Sequence, residues 1–99
     1  MRSKRFTIAS ITIDGDDVRI KYGDVLVAAQ EGAAHLDWEC VVQPFDPAPI
    51  EQGAYRLAIV TLEGRRLFGD AVLVRSVKGT HVLRGAGPVD GLAYDELDD

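Results

Sequence analysis

Ala54-Tyr-Arg-Leu-Ala-Ile-Val-Thr-Leu-Glu-Gly-Arg-Arg-Leu-Phe-Gly-Asp-Ala-Val-Leu-Val-Arg-Ser76 consists of two apolar runs around a short polar break. In both runs apolar side chains occupy both alternating sets of positions. Tyr55, Leu57 and Ile59 oppose Ala58, Val60 and Leu62, and Phe68, Val72 and Val74 oppose Leu67, Ala71 and Leu73. Successive residues of a strand face opposite sides, so such runs suit strands that are covered on both faces. The break Glu63-Gly-Arg-Arg66 has hairpin length and a glycine, which predicts direct antiparallel pairing. The second face of this hairpin then needs a cover, either from the rest of the chain or from a partner.

The flanking sequence extends the same pattern. His35 to Gln43 alternates cleanly, with Leu36, Trp38, Cys40 and Val42 on one side and His35, Asp37, Glu39, Val41 and Gln43 on the other. Val18-Arg-Ile-Lys-Tyr22 alternates apolar and basic residues. Phe6 to Ile13 changes phase midway, and a β-bulge near Ala9 and Ser10 would reconcile its halves. Glycine marks the connections Asp14-Gly-Asp-Asp17, Gly23-Asp24, Glu31-Gly-Ala-Ala34 and Val77-Lys-Gly-Thr80, the last leading into His81-Val-Leu-Arg-Gly85. The exception is Pro44-Phe-Asp-Pro-Ala-Pro-Ile-Glu-Gln-Gly53, whose prolines enforce extended backbone outside any ladder and predict a long crossover. These signals predict an all-β fold: a small antiparallel sandwich or barrel of about seven strands with no substantial helix. Residues 6–91 form its single domain, between a basic segment 1–5 and an acidic tail 92–99 expected to be mobile.

At 99 residues and 46% hydrophobic, the chain has enough apolar material for one core. Its longest apolar runs fall far short of a membrane span. The basic start lacks the apolar stretch of a secretory leader, and the single cysteine, Cys40, cannot close an intrachain disulfide. A cytoplasmic protein of bacterial type is the expectation. The net charge of −5 conceals a division. Phe6 to Glu51 holds nine acids against Arg19 and Lys21, whereas Gln52 to Val89 holds six bases against Glu63 and Asp70, so the two segments carry −7 and +4.

Few residues suggest chemistry. His35, Asp37 and Glu39 stand at i, i+2 and i+4, a spacing that suits either a metal or acid/base row or simply the polar face of a strand. The acids around Gly15 lack the glutamate that a calcium loop needs at its twelfth position, where Val25 stands. Cys40 has the inward parity of Trp38, where burial suppresses the thiolate, and His81 follows a turn, placed to cap a strand or meet a partner. Gly85-Ala-Gly-Pro88 lacks the following helix of a phosphate loop, so its glycines are expected to let backbone pass close to something. Arg56, Arg75 and Arg84 have parities compatible with one basic face able to meet nucleic acid.

Tyr55 to Gly87 loosely resembles the short glycine-punctuated β-domains of bacterial and phage genomes, a resemblance that implies no particular activity. The leading expectation is a non-catalytic interaction or assembly module, self-associating or binding another protein. Ala58, Val60, Ala71 and Leu73 are its expected contact residues. Nucleic-acid binding through Arg56, Arg75 and Arg84, and a small enzyme or metal protein using His35, Asp37 and Glu39, are the alternatives. No cofactor is expected.

Overall fold

A computed structural model describes residues 2–97. Seven strands, β1 (Arg2–Ile13), β2 (Asp16–Val18), β3 (Ile20–Ala29), β4 (Asp37–Pro44), β5 (Ala54–Thr61), β6 (Arg66–Val77) and β7 (Thr80–Gly85), precede one 3₁₀ turn, Tyr94–Glu96. They form a single antiparallel sheet in the order β2-β1-β3-β4-β7-β6-β5, and β1 also pairs with β5. That second pairing closes a six-stranded barrel, with β2 as an extra strand beside the end of β1. Of the sandwich and barrel alternatives, the molecule takes the barrel, which leaves no open sheet edge among its six closing strands.

Local chemistry accounts for the turns. Asp14 and Gly15 both have positive φ, as do Lys78 and Gly79, so each pair makes the tight two-residue turn that matches the twist of a hairpin. The β1–β2 turn is latched to β5, because Asp14 Oδ1 accepts from the Arg56 N–H at 2.7 Å and the Asp14 N–H donates to the Arg56 carbonyl at 2.8 Å. Gly64, with φ of 88°, turns β5 into β6, and Thr61 Oγ1 accepts from the Arg65 N–H at 3.0 Å. β1 slips register between Ile8 and Ser10, the bulge its change of phase required.

β3 departs from expectation. Gly23-Asp24 is not a connection but lies within this strand, which runs unbroken to Ala29. A Cβ on Gly23 would stand 3.1–3.2 Å from the methyl carbons of Ile8, Ile20 and Val42, so this glycine serves close packing. Asp24 is buried and accepts from Arg5 Nη1 at 3.0 Å and from the Tyr22 hydroxyl at 2.6 Å. This hydrogen bond and the carboxylate charge hold the tyrosine above its ordinary pKa. Tyr22 itself faces solvent, away from the side that alternation with Val18 and Ile20 predicts, because β3 shifts register between Ile20 and Tyr22.

Inward positions fill the barrel: Phe6, Ile8, Ile11, Val25, Val27, Trp38, Cys40, Val42, Leu57, Ile59, Leu67, Leu73 and Leu83. One end carries the β1–β2 and β6–β7 turns and residues 45–53, which cross between the non-adjacent β4 and β5. The Phe45 N–H donates to the Arg19 carbonyl at 3.0 Å, and the Leu73 N–H donates to Gly53 at 3.0 Å, so the crossover is anchored to β6 and to the β2–β3 junction. The other end is plugged by Trp38 and the C-terminal segment. The indole donates to the Gly87 carbonyl at 2.9 Å, and Val89 and Leu97 are buried. Within the acidic tail Leu97 thus packs into the core, while Ala93, Tyr94 and Asp95 are exposed; Asp98 and Asp99 lie outside the described residues, as does Met1 of the basic start.

Candidate functional site

Two features stand out from the plain barrel: the outer face of β6 and a cavity beneath the crossover. On β6 the inward series is Leu67, Gly69, Ala71 and Leu73, and the outward series is Phe68, Asp70, Val72 and Val74. The register with β7 shifts between Leu73 and Arg75, so Val74 bulges outward and Arg75 continues the outer row. Phe68 (39% exposed), Val72 (39%), Val74 (52%) and Val77 (54%) thus line the outside of one strand. Ala58 and Val60 lie half-buried on the outside of β5, with Ala58 opposite Phe68.

For the expected contact residues this is half a correction. Ala58 and Val60 do face outward, but Ala71 and Leu73 are buried in the barrel. The reason is volume. Gly69 and Ala71 leave space on the inward face of β6, and the Trp38 indole fills it, approaching so closely that a Cβ on Gly69 would lie 2.6 Å from Cζ2 of the ring.

The other candidate residues are dispersed. Arg56, Arg75 and Arg84 are exposed on the outside of adjacent strands, as their parities suggested. Arg56 Nη1 lies 3.2 Å from Asp70 Oδ1, and Glu39 stands opposite Arg84 in the β4–β7 register, so acids interrupt this face. His35 precedes β4 in an exposed loop and accompanies neither Asp37 nor Glu39 along the strand. Among the described residues no three His, Cys, Asp or Glu side chains are grouped to hold a metal ion, the His35, Asp37 and Glu39 row included. Cys40 is fully buried; desolvation first, then the charges of Asp24 and Glu39, push its thiol up to about 12.

Comparison with family models, with curated proteins and with solved structures finds no match to this chain.

The cavity has a volume of about 510 Å³. Its apolar lining comes from Ile13 and Val18 at the barrel rim and from Pro44, Phe45, Pro49 and Ile50 of the crossover. His81 also lines it. This residue is 1% exposed, with Nδ1 2.6 Å from the Ser76 hydroxyl and Nε2 buried without a hydrogen-bond partner. An unmatched buried nitrogen costs about 1–3 kcal/mol. Residue alternation from β7 carried the signal: His81 shares the parity of Leu83, which is in the core.

Burial holds the His81 imidazole below its ordinary value of 6.5. The unfolded chain takes up a proton there as the pH falls through that value, while the folded chain resists until a lower pH. The stability contributed by the neutral ring is full above the unfolded value and is lost as the pH falls toward the folded one. The urea midpoint of the wild type is expected to drop more than that of His81→Phe between about pH 7.5 and about pH 5. Parallel curves for the two proteins would show that His81 is not held neutral.

Proposed function

We propose that the chain is a non-catalytic interaction module that assembles with a second copy of itself through the outer face of β6. The observation that carries this reading is the row Phe68, Val72, Val74 and Val77, each more than a third exposed. Contiguous exposed apolar surface on a small domain marks an interaction site.

The order of side chains favours a second copy as the occupant. Along the outside of β6 the row runs apolar Phe68, acidic Asp70, apolar Val72 and Val74, basic Arg75 and apolar Val77. A two-fold axis near Val72 sets Asp70 of one copy toward Arg75 of the other, and Phe68 toward Val77. Such a surface is complementary to itself, which a two-fold interface requires. Each charged segment meets a terminal segment of opposite sign within one chain, Asp24 pairing with Arg5 and Arg65 with Glu96. Nucleic-acid binding by Arg56, Arg75 and Arg84 has weaker support, because Asp70 and Glu39 stand among the cations whose clustering it needs.

No helix among the described residues is long and apolar enough to cross a membrane. The buried free thiol supports a reducing compartment, and the cytoplasm is the proposed location.

Light scattering across micromolar concentrations tests the assembly. Val72→Glu is expected to weaken it by at least about tenfold, as are Asp70→Arg and Arg75→Asp singly, by placing like charges together. The double variant Asp70→Arg with Arg75→Asp is expected to recover much of the loss. A wild type that stays monomeric at about 100 µM, so that any association is weaker than about −5.5 kcal/mol, sinks the reading.

A further inference from the structure

His81 stands opposite Ser76 at the base of the arm formed by residues 74–80, where β6 turns into β7. That arm is lightly held. The register of β6 with β5 ends at Val72 and that of β7 with β4 ends at His81, so beyond these points each strand of the arm has only the other beside it. Val74, Arg75, Ser76, Val77 and Lys78 are all exposed. Segments with so few buried contacts are the ones that open locally at low cost.

The ring at the base of the arm has no place for a charge. An imidazolium carries two N–H donors. Nδ1 has the Ser76 hydroxyl at 2.6 Å, but Nε2 is buried without an acceptor, so a proton on the ring leaves a cationic N–H unmatched. No neighbouring charge compensates for this. Asp17 of β2, Arg19 after it and Asp46 of the crossover border the same cavity as His81, with both signs represented and none bonded to the ring. Ile13 of β1 and Val42 of β4 are apolar, and Arg75 and Lys78 of the arm add only positive charge. An imidazolium gains water most readily if the arm swings away. Val74, Arg75 and Val77 would move with it, and they make up half of the outer β6 row.

We propose that His81 makes assembly acid-labile: proton uptake opens the arm and dismantles the β6 face, so that the dimer gives way to monomers as the pH falls. This regulation rests on the self-association proposed above. The sign follows from linkage, because the assembled form holds the ring neutral and the open monomer accepts the proton; acid therefore favours the monomer, and assembly must in turn make the ring harder to protonate.

Light scattering is expected to show association of the wild type at least about tenfold weaker at about pH 5 than at about pH 7.5, and that of His81→Phe changed by less than about twofold. NMR of the wild type alone gives a second readout. Its His81 ring is expected to titrate at a lower pH in a concentrated sample than in a dilute one, and in the dilute sample the Val74 and Val77 methyl signals are expected to shift together with the ring. Parallel acid weakening in the two proteins, or a ring that titrates identically at both concentrations, overturns the acid coupling and leaves self-association standing. A wild type that is monomeric at about pH 7.5 overturns both.

Discussion

Gly85→Ala is expected to destabilise the barrel by about 3 kcal/mol and to lower its melting temperature by roughly 15 °C, although it adds a single methyl group. The added carbon would stand 2.2 Å from Trp38 Nε1, 2.4 Å from Cδ1 and 2.6 Å from Cε2, inside the body of the ring. The indole has little freedom to retreat. It is buried, its N–H donates to the Gly87 carbonyl, and its far edge rests over Gly69. Gly85 is not among the residues of positive φ, so alanine meets no backbone penalty there and the cost isolates the contact. Coupling to Trp38 checks the cause. In a Trp38→Leu background, itself less stable, Gly85→Ala is expected to cost under about 1 kcal/mol, because the atoms it strikes are gone. Guanidinium unfolding followed by circular dichroism, which does not depend on the single tryptophan, measures both. An equal cost in the two backgrounds would show that Trp38 is not what Gly85 accommodates.

That contact marks the limit of what strand patterning reveals. The alternation from Leu36 to Val42 placed Trp38, Cys40 and Val42 inward, where they are. The phase change in β1 located its bulge, and Glu63-Gly-Arg-Arg66 located the hairpin of β5 and β6. Those are local rules, settled within a few residues. Which side of β6 faces the core depended on a distant tryptophan: Gly69 and Ala71 look too small for an inward face until the indole on β4 supplies the volume. Gly23 misleads in the same way. Its sequence context suits a turn, and only the approach of Ile8, Ile20 and Val42 explains a glycine within a strand.

The candidate site was legible in fragments. Surplus apolar surface on the β5–β6 hairpin was visible, and Ala58 and Val60 were placed outward, but Phe68, Val72 and Val74 displaced Ala71 and Leu73 because the inward set depends on that same tryptophan. The cavity could not be anticipated, since it arises where residues 45–53 cross the barrel end above Ile13, Val18 and His81. Closure of β1 on β5 brings that rim together, and no local pattern encodes this long-range pairing.

Leu97→Ala is expected to cost about 2–4 kcal/mol, although it lies in a stretch whose acidity suggests a solvated tail. Leu97 is 2% exposed and belongs to the core cluster, with Leu92 packed against it. The backbone around it is tied at several points. Arg2 Nη2 donates to the Leu97 carbonyl at 2.7 Å, the Arg2 guanidinium lies 5.1 Å from the Tyr94 ring centre, and Arg65 Nη1 donates to the Gly91 carbonyl at 2.8 Å. Arg65 also pairs with Glu96, whose carboxylate accepts from the Ala93 N–H at 3.1 Å. That backbone hydrogen bond, more than the arginine, holds the glutamate below its ordinary pKa. The ion pair is about a third exposed to water, so Glu96→Gln is expected to have a much smaller effect that fades with added salt. Leu97→Ala leaves a hole that salt does not refill, because the lost contribution is apolar burial. Urea unfolding at low and high salt separates the two contributions. A Leu97→Ala variant within about 0.5 kcal/mol of the wild type would mean that the segment does not close the barrel end.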